Sequence, residues 1–566
     1  MAMHSTSWPL RLALVTVTLS VAACGGGGSD VAAPPPAAAN LVLTGTAARG
    51  AALAGAAIEA KCASGTGSAT SGGDGSFTIT IAAGALPCAL RATSGAEVLH
   101  SVASGTGQSA RANITPVTEL VVARLAAASP ATYYSAFTGA AGPTDAAAQA
   151  ALTAVVEMLK PAGTDFGNGA NALSGALVAG DAQDQKLDAL QVRLTANALS
   201  LAEFAAAVAR TSPGADPSTF STTASLPPEL LLASQAANCA SLRSGRYRVL
   251  VNIDGGTSPA ATVLTLDATT LTLVDDAGGT EMLTANGTCD FLNASGGDIF
   301  VNKAGIGMGR VRDTGGTFHA LVFFPEQAHA VAELAGEHNT MAFEPSSTGG
   351  GNRLTSSTFS LDTSGKLTAL LSCPDLVTCV ASTPATLPGV TYSADSEGGF
   401  DVANTGAGDS ERAFAYRSGS GELMLVKLAS AGDISFATRN AAQTLPPVGR
   451  TQQLRNLFVD SIYTASAPIS ISRNTIVSVD AASGTYARNA VQNLATGATR
   501  PETLGINSLR NGYVRRSPAT GVVHSDGVTS NVAEFISLLM RGMEFQSFAL
   551  PSSNQMGLAA LESSAP

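Results

Sequence analysis

The sequence predicts a mainly β protein with a helical middle segment and repeated antiparallel β units in its C-terminal part. Three observations support this fold class. Short β-type runs alternate with Gly-rich turns from residue 41 to 115, apolar residues recur at helical spacing from 116 to 235, and β-type runs then continue to the end. The 566 residues are enough for several domains of roughly 100 to 200 residues each, so a multidomain chain is expected.

The N-terminus has the features of an export signal. Arg11 precedes an apolar run from Leu12 to Ala23 that is too short to cross a bilayer as a helix. Val21-Ala22-Ala23-Cys24 then resembles the lipobox of bacterial lipoproteins, in which a dedicated peptidase cleaves just before the lipidated cysteine. The resemblance implies a signal peptide over 1–23 and acyl chains such as palmitate on Cys24. An ordinary secretory signal with a chance cysteine is the alternative.

Residues 24–40 predict a flexible tether between this anchor and the body of the protein, because the first of them are mostly glycine. In the resembled class, an aspartate directly after the cysteine commonly retains the protein in the inner membrane. That position is Gly25 here. The resemblance therefore implies an outer-membrane lipoprotein of the cell envelope that faces the periplasm or the surface.

Six further cysteines indicate an oxidising compartment, where disulfides persist. Many connectivities are open to six cysteines, but their distribution along the chain suggests neighbours. The expected pairs are Cys62 with Cys88, Cys239 with Cys289, and Cys373 with Cys379. Zinc ligation is the alternative, but no C-x2-C pair and no His-x3-His accompanies them, so neither a metal nor a cofactor is predicted.

Residues 41–115 predict a small β-sandwich. Strands are expected around Val42, Ile58, Phe77–Ile81 and Ala89–Ala92. A tight turn is expected at Gly73-Asp74-Gly75-Ser76. Gly55-Ala56-Ala57-Ile58 and Asp74-Gly75-Ser76-Phe77 resemble motifs of the carboxypeptidase-regulatory-like domain, a transthyretin-like or Ig-like sandwich. The resemblance implies an accessory module without catalytic residues, and Asp74 is interpreted as a turn residue, with a calcium ligand as the alternative.

Residues 116–235 predict a small helical region. Pro116 follows Thr115, an N-cap type of residue, and begins the first helix. Further helices are expected from Asp145 to Lys160 and from Asp184 to Arg210, and the apolar residues of the last share one face. This pattern favours packing in a bundle or on the β domain. A membrane-lying helix is disfavoured because the Lys/Arg-rich polar face is missing.

A weak internal repeat divides the C-terminal part. Gly296-Gly297 and Gly398-Gly399 begin similar segments, and Leu-x-x-Gly or Leu-x-Gly openings stand at Leu242 and Leu334. The predicted boundaries are 236–333 for β unit 1, 334–450 for β unit 2 and 451–566 for β unit 3. Units of this length fit sandwiches or up-and-down barrels better than propeller blades. The Leu-x-Gly opening is similar to that of lipocalin-type barrels, but the tryptophan of that family is absent.

One histidine-rich segment could hold a metal. His329, Glu333 and Glu337 are four residues apart, with Glu326 and His338 nearby, so a helix would place the three on one face. The order H-E-x-x-H is missing, however, and a solvated acidic stretch is the favoured interpretation.

Other possible sites favour structural roles. The sequence has no G-x-S-x-G, and Ser418-Gly419-Ser420-Gly421 is interpreted as a turn between strands. Asp275-Asp276 is expected in a hairpin turn, and Gly305-x-Gly307-x-Gly309 does not open a helix as a dinucleotide site would. No catalytic residue is therefore predicted.

The sequence predicts a lipid-anchored envelope protein that is a binding or structural/interaction module and not an enzyme. Its expected partners are the membrane, through Cys24, and an unidentified envelope or extracellular protein or a small apolar ligand. With 42 acidic against 31 basic residues, nucleic acid is not expected. The alternative is a carrier of a small apolar ligand in a C-terminal β-barrel, and an envelope hydrolase comes third.

Overall fold

A computed structural model describes most of the chain from residue 39 onward. The described residues are 39–139, 142–160, 164–167, 170–178, 180–212, 225–251, 260–344, 353–404, 410–429, 432–459, 464–492 and 494–563. The predicted signal peptide, Cys24 and nearly all of the tether lie outside them. The described part is mainly β, with a helical middle segment between an N-terminal sandwich and C-terminal antiparallel units, as the sequence predicts.

Two sheets form the N-terminal sandwich. In the described part its strands are β1 (Leu41–Thr46), β2 (Ala57–Ser64), β3 (Thr66–Thr70), β4 (Ser76–Ile81), β5 (Ala85–Ser94), β6 (Glu97–Ala103) and β7 (Ser109–Arg111). One sheet has the order β4-β1-β7 and the other β3-β2-β5-β6. In β4 the residues alternate, so Phe77, Ile79 and Ile81 are buried between the sheets while their neighbours face solvent.

The helical region follows directly. Its described α-helices are α1 (Pro116–Ala126), α2 (Pro130–Ala136), α3 (Asp145–Leu159), α4 (Ala170–Ser174), α5 (Ala182–Ala196), α6 (Leu201–Arg210) and α7 (Pro228–Leu231). Thr115 caps α1 as predicted, because its hydroxyl accepts a hydrogen bond from the Thr118 amide at 3.3 Å. Residues of α1, α3, α5 and α6 share one apolar core with Val102 of β6, so the helices pack both on one another and on the β domain, as the sequence analysis expected of one or the other.

The single helix predicted from Asp184 to Arg210 is wrong, because the segment forms two helices. Ala198 has a φ of 50°, which breaks the helical path between α5 and α6. Ser200 then starts α6 with a capping box, in which its hydroxyl and the Glu203 carboxylate bind each other's backbone amides. Among the described residues, no single helix is long and apolar enough to cross a bilayer. Only α5 and α6 taken together reach that length and apolar composition, and the pair is bent by 94°.

β units 1 and 2 have the same strand order. A short hairpin, β8 (Gln235–Ala236) and β9 (Cys239–Arg243), precedes unit 1. The described strands of unit 1 are β10 (Gly245–Val251), β11 (Ala260–Asp267), β12 (Thr272–Asp275), β13 (Thr280–Met282), β14 (Thr284–Gly287), β15 (Asp290–Leu292), β16 (Asp298–Val301), β17 (Gly307–Arg312) and β18 (Phe318–Pro325). Those of unit 2 are β19 (Gly336–Glu344), β20 (Arg353–Leu361), β21 (Leu367–Cys373), β22 (Val380–Ala381), β23 (Val390–Ala394), β24 (Phe400–Asn404), β25 (Ser410–Arg417), β26 (Leu423–Ala429) and β27 (Ile434–Arg439). In each unit the first strand pairs with the last and with the second.

Each of these two sheets wraps into a barrel-like shape. In unit 1 the two edge strands are β13 and β14, and only Leu283 separates them along the chain. They are thus the two halves of one extended segment, which pairs with β12 at its start and with β15 at its end. In unit 2 the corresponding seam is bridged by Lys366 and Thr391.

β unit 3 is a closed barrel. Its described strands are β28 (Thr451–Val459), β29 (Ser470–Asp480), β30 (Thr485–Val491), β31 (Thr499–Ile506), β32 (Tyr513–Arg516), β33 (Ala519–Val523), β34 (Thr529–Val532), β35 (Phe535–Met540), β36 (Phe545–Leu550) and β37 (Gln555–Ser563). The barrel has the order β28-β29-β30-β31-β32-β35-β36-β37, and β33 and β34 form a separate hairpin. If β13–β14 and β22–β23 each count as one strand, all three units are eight-stranded meanders.

The predicted repeat is therefore present, but one of its two signals is out of step. The openings are matched, because Gly245 and Gly336 each begin the first strand of a unit. The glycine pairs are not matched. Gly297 precedes β16, whereas Gly399 precedes β24, which corresponds to β15. The glycine alignment is thus wrong by one hairpin.

The outer faces of the three β units meet in one apolar core. The principal buried contributors are Leu250, Phe300, Val322 and Phe324 of unit 1, Met341, Phe343, Tyr416 and Phe436 of unit 2, and Leu457, Tyr513, Leu538 and Phe545 of unit 3. Polar contacts accompany it, since the Asn302 amide donates to the Met543 carbonyl at 2.8 Å and the Tyr416 hydroxyl donates to the Ala304 carbonyl. The three units consequently form one body, while each also encloses an interior of its own.

Candidate functional site

The structure forms the three disulfides that the sequence predicts. Cys62 and Cys88 face each other across β2 and β5, and Cys239–Cys289 fastens β9 to the turn before β15. Cys373–Cys379 closes a short loop, and the Arg510 guanidinium of unit 3 lies 2.8 and 3.0 Å from its two sulfurs. Each disulfide therefore lies within one predicted domain.

Asp74 has the predicted role in a turn. Its carboxylate accepts hydrogen bonds from the Ser76 amide at 3.0 Å and from the Ser76 hydroxyl at 2.7 Å. These hydrogen bonds lower the pKa of Asp74. Across the described part of the chain, no group of three or more His, Cys, Asp or Glu side chains is placed to hold a metal ion.

The histidine-rich segment does not form the helix that a metal site would need. His329 meets Glu333 at 3.2 Å beside a single 3-10 turn, while Glu337 is exposed at the start of β19. His338 points into unit 2 and stacks on Phe359, with the ring centroids 5.2 Å apart. Burial and the nearby Arg439 guanidinium lower the pKa of His338 to about 4, so this side chain is neutral at pH 7.

The remaining predicted turns are confirmed. Ser418-Gly419-Ser420-Gly421 links β25 to β26, and Asp275-Asp276 lies in the hairpin between β12 and β13. Gly305 lies in the turn before β17, and Gly307 and Gly309 lie within that strand.

The clearest candidate for a binding site is the interior of β unit 1, which contains a cavity of about 330 Å³. Inward-facing residues of seven strands and of the preceding hairpin line it, because alternate residues of a strand share one face. The lining residues are Leu242, Tyr247, Val249, Val251, Thr262, Leu264, Leu266, Leu273, Asp275, Glu281, Leu283, Asn293, Ile299, Val311, Leu321 and Phe323. Twelve of these sixteen are apolar or aromatic, as expected of a small-molecule site.

The polar residues of this cavity give it an acidic character. Asp275 and Glu281 lie on adjacent strands, and among the described lining residues there is no Lys, Arg or His. Asp275 accepts from the Ala277 amide at 2.9 Å, and Glu281 accepts from the Ala294 amide at 3.1 Å. Asn293 is satisfied by its own turn, since its Oδ1 accepts from the Gly297 amide at 2.7 Å. The cavity thus presents two carboxylates, of which that of Asp275 is exposed to solvent and that of Glu281 is half-buried.

A second cavity, of about 460 Å³, lies in the cleft between units 1 and 3. Its lining includes the charged residues Lys303, Arg473 and Glu562. Arg473 donates to Gln453 at 2.7 Å, so part of the charged wall is already engaged within the protein. This cleft is more polar than the cavity of unit 1.

The interior of unit 3 contains an ionic cluster that the sequence analysis missed. The Glu502 carboxylate is buried and meets Arg488 at 2.8 Å, Arg500 at 2.6 Å and Arg516 at 2.7 Å. Burial alone would raise the pKa of Glu502, but the arginines outweigh it and lower the pKa to about 2. Alternation along β30, β31 and β32 was the available signal, but it does not show which strands become neighbours.

Comparison with known proteins identifies no family. No family model matches the chain, and no curated protein matches it. One similar solved structure is a protein of unknown function from the DUF3598 family of Nostoc punctiforme, at 10% identity, 42% coverage of this chain, 100% of the other and a TM-score of 0.15. Another is a mutant of the vaccine antigen transferrin binding protein B from Haemophilus parasuis, at 8% identity, 57% and 76% coverage and a TM-score of 0.17. Both TM-scores are too low to indicate a similar arrangement of the whole chain.

Proposed function

We propose that this protein is a lipid-anchored binding module of the cell envelope, held in the outer membrane by acyl chains on Cys24, and that it catalyses no reaction. The observation that carries the proposal is the shared core of the three β units. Because parts of their outer faces hold the units together, the spaces left for a ligand in the described part of the chain include the interior of unit 1 and the cleft between units 1 and 3. Barrels of about eight strands have room for one small ligand, and barrel mouths are common binding sites.

The three disulfides support the envelope location. Disulfides persist in oxidising compartments, and each of the three lies inside one domain, where it strengthens that domain alone. The lipobox-like Val21-Ala22-Ala23-Cys24 supplies the anchor in this proposal. The N-terminal sandwich is then an accessory module of the carboxypeptidase-regulatory-like kind, placed between the tether and the β units.

Metabolic labelling with an alkyne analogue of palmitate tests the anchor. The wild-type protein is expected to carry the label and to fractionate with outer membranes, and Cys24→Ala is expected to lose both. Cys373→Ser/Cys379→Ser is the control, because it removes cysteines together with the disulfide that closes the shortest loop and should leave acylation unchanged. An unlabelled wild-type protein would exclude the anchor.

Catalysis is tested separately with the purified, acylated protein in detergent. We expect no turnover of ester, peptide or glycoside substrates above a buffer blank. Turnover that persists through successive purification steps would contradict the proposed function and favour an envelope hydrolase.

A further inference from the structure

We propose that the cavity of β unit 1 is a binding site for an uncharged, mainly apolar small molecule. This inference rests on the proposed binding function and names its ligand class. The volume of the cavity, about 330 Å³, is at the lower end of the range for small-molecule sites, about 300 to 1,000 Å³. Twelve of the sixteen lining residues are apolar or aromatic, so transfer of an apolar molecule from water into this space is favourable.

Comparison with unit 2, which has the same strand order, identifies two positions at which unit 1 has the smaller interior side chain. The first two strands of each unit pair in the same way. Gly245 faces Leu266 and Tyr247 faces Leu264 in unit 1, while Gly336 faces Leu361 and His338 faces Phe359 in unit 2. Leu264 therefore occupies the position of Phe359, whose ring fills the interior of unit 2 and stacks on His338.

A second position shows the same difference. Phe291 pairs with Ala285 in unit 1, and Phe400 pairs with Ala394 in unit 2, so these phenylalanines correspond. Two residues before each alanine stand Leu283 and Tyr392, both buried in the interiors of their units. At two equivalent positions, unit 2 thus has an aromatic ring where the cavity wall of unit 1 has a leucine.

The charge of the lining disfavours an anionic ligand. Asp275 and Glu281 are acidic, and no cationic side chain among the lining residues balances them. A carboxylate or phosphate ligand would be repelled by these groups and would lose its own hydration. An uncharged molecule avoids both costs, and a hydroxyl or amide on it can donate a hydrogen bond to either carboxylate.

The test is photolabelling of the full acylated protein in detergent with trifluoromethyl-phenyldiazirine, a small uncharged apolar probe. Labelled residues are mapped by mass spectrometry. We expect saturable labelling within residues 260–283 that excess benzotrifluoride competes away. The carboxylated derivative of the same diazirine is expected to label these residues less.

The variant Leu264→Phe/Leu283→Phe brings the rings of unit 2 into the cavity and is expected to lose the saturable labelling. Thr265→Phe is the matched control, because Thr265 lies next to Leu264 but is exposed on the opposite face of β11, and it should keep the labelling. Circular dichroism and thermal unfolding establish that both variants fold. A double variant that does not fold is replaced by Leu264→Phe alone, for which a lower saturable signal is expected.

Several results would overturn the inference. These are non-saturable labelling of wild-type residues 260–283, unchanged labelling in a folded variant, or saturable labelling confined to the cleft that contains Lys303 and Arg473. Stronger labelling by the carboxylated probe would overturn the ligand class. Palmitate labelling and the hydrolase tests do not involve this cavity, so failure of the proposed function is distinguishable from failure of this site.

Discussion

The hydroxyl of Tyr513, in unit 3, donates a hydrogen bond to the backbone carbonyl of Thr340, 2.7 Å away in the first strand of unit 2. The Tyr513 side chain is fully buried in the shared core. Burial raises the pKa of Tyr513, so the hydroxyl keeps its proton and remains a donor across the physiological range. This hydrogen bond links two β units directly through the shared core, as those of Asn302 and Tyr416 do elsewhere in it.

Replacing Tyr513 with phenylalanine should weaken the contact between units 2 and 3. Tyr513→Phe keeps the ring and removes the donor, so a loss of about 1 kcal/mol in the free energy of unfolding is expected. Differential scanning calorimetry should show a broader transition because the units become less coupled. Tyr247→Phe is the control, because the Tyr247 hydroxyl donates at 2.9 Å to the backbone carbonyl of Arg243 and does not link units 2 and 3. An unchanged melting temperature in Tyr513→Phe would contradict this account.

The repeat shows how far local sequence can predict this fold. Asn293 and Asp395 each accept a hydrogen bond from the glycine amide four residues on, at 2.7 and 2.8 Å. The same turn chemistry therefore occurs in two different hairpins. A turn motif identifies the type of turn but not its place in the strand order, which explains why the glycine alignment is out of step. The openings at Gly245 and Gly336, by contrast, begin the first strands of units 1 and 2.

The candidate sites depend on contacts that the sequence does not encode locally. Leu264 and Phe323 line the same cavity although they are far apart along the chain, because the closure of the sheet brings their strands together. Likewise, Arg488 and Arg516 approach Glu502 from the strands on either side of it. Alternation of apolar residues predicts which side chains face inward. It cannot predict whether their volumes fill the interior or leave it open.

His338 should make the stability of unit 2 dependent on pH. Its pKa is about 4 in the folded protein, against an ordinary value of 6.5, so the unfolded chain binds the proton more readily. The stability that neutral His338 contributes is therefore fully present above pH 6.5, and the free energy of unfolding decreases by about 3 kcal/mol as the pH falls to 4. His338→Phe preserves a ring on Phe359 and should lack this component. Urea unfolding at several pH values measures it, and equal pH slopes in both proteins would contradict the prediction.

The disulfides should differ in their effect according to the loops they close. Cys62–Cys88 spans 26 residues and Cys373–Cys379 spans 6. From the entropy of the unfolded chain, Cys62→Ser/Cys88→Ser should lose about 3.5 kcal/mol and Cys373→Ser/Cys379→Ser about 2 kcal/mol. Limited proteolysis should reveal the first loss as cleavage within the N-terminal sandwich. A greater loss from the short loop would contradict the loop-entropy explanation and indicate that its contact with Arg510 dominates.

The ionic cluster inside unit 3 should be the site at which a single substitution lowers the free energy of unfolding most. Glu502 is the only carboxylate paired with Arg488, Arg500 and Arg516 in the described contacts. Glu502→Gln removes that charge and leaves three guanidinium groups crowded inside the barrel, so a loss of about 3 to 5 kcal/mol is expected. Glu397→Gln is the control, because Glu397 pairs with Arg412 at an exposed position and should change stability by less than about 1 kcal/mol.

The same cluster predicts a second pH dependence, in a more acidic range than that of His338. The folded pKa of Glu502 is about 2, below the ordinary value of 4.5, so its contribution is present above pH 4.5 and is lost as the pH falls toward 2. The shift corresponds to about 3 kcal/mol for this buried side chain. Glu333 titrates in the same range, with a pKa of about 2, so the informative quantity is the difference between wild type and Glu502→Gln. That difference in the free energy of unfolding should shrink between pH 4.5 and 2 in urea unfolding. A constant difference would show that the stability of the cluster does not depend on the charge of Glu502.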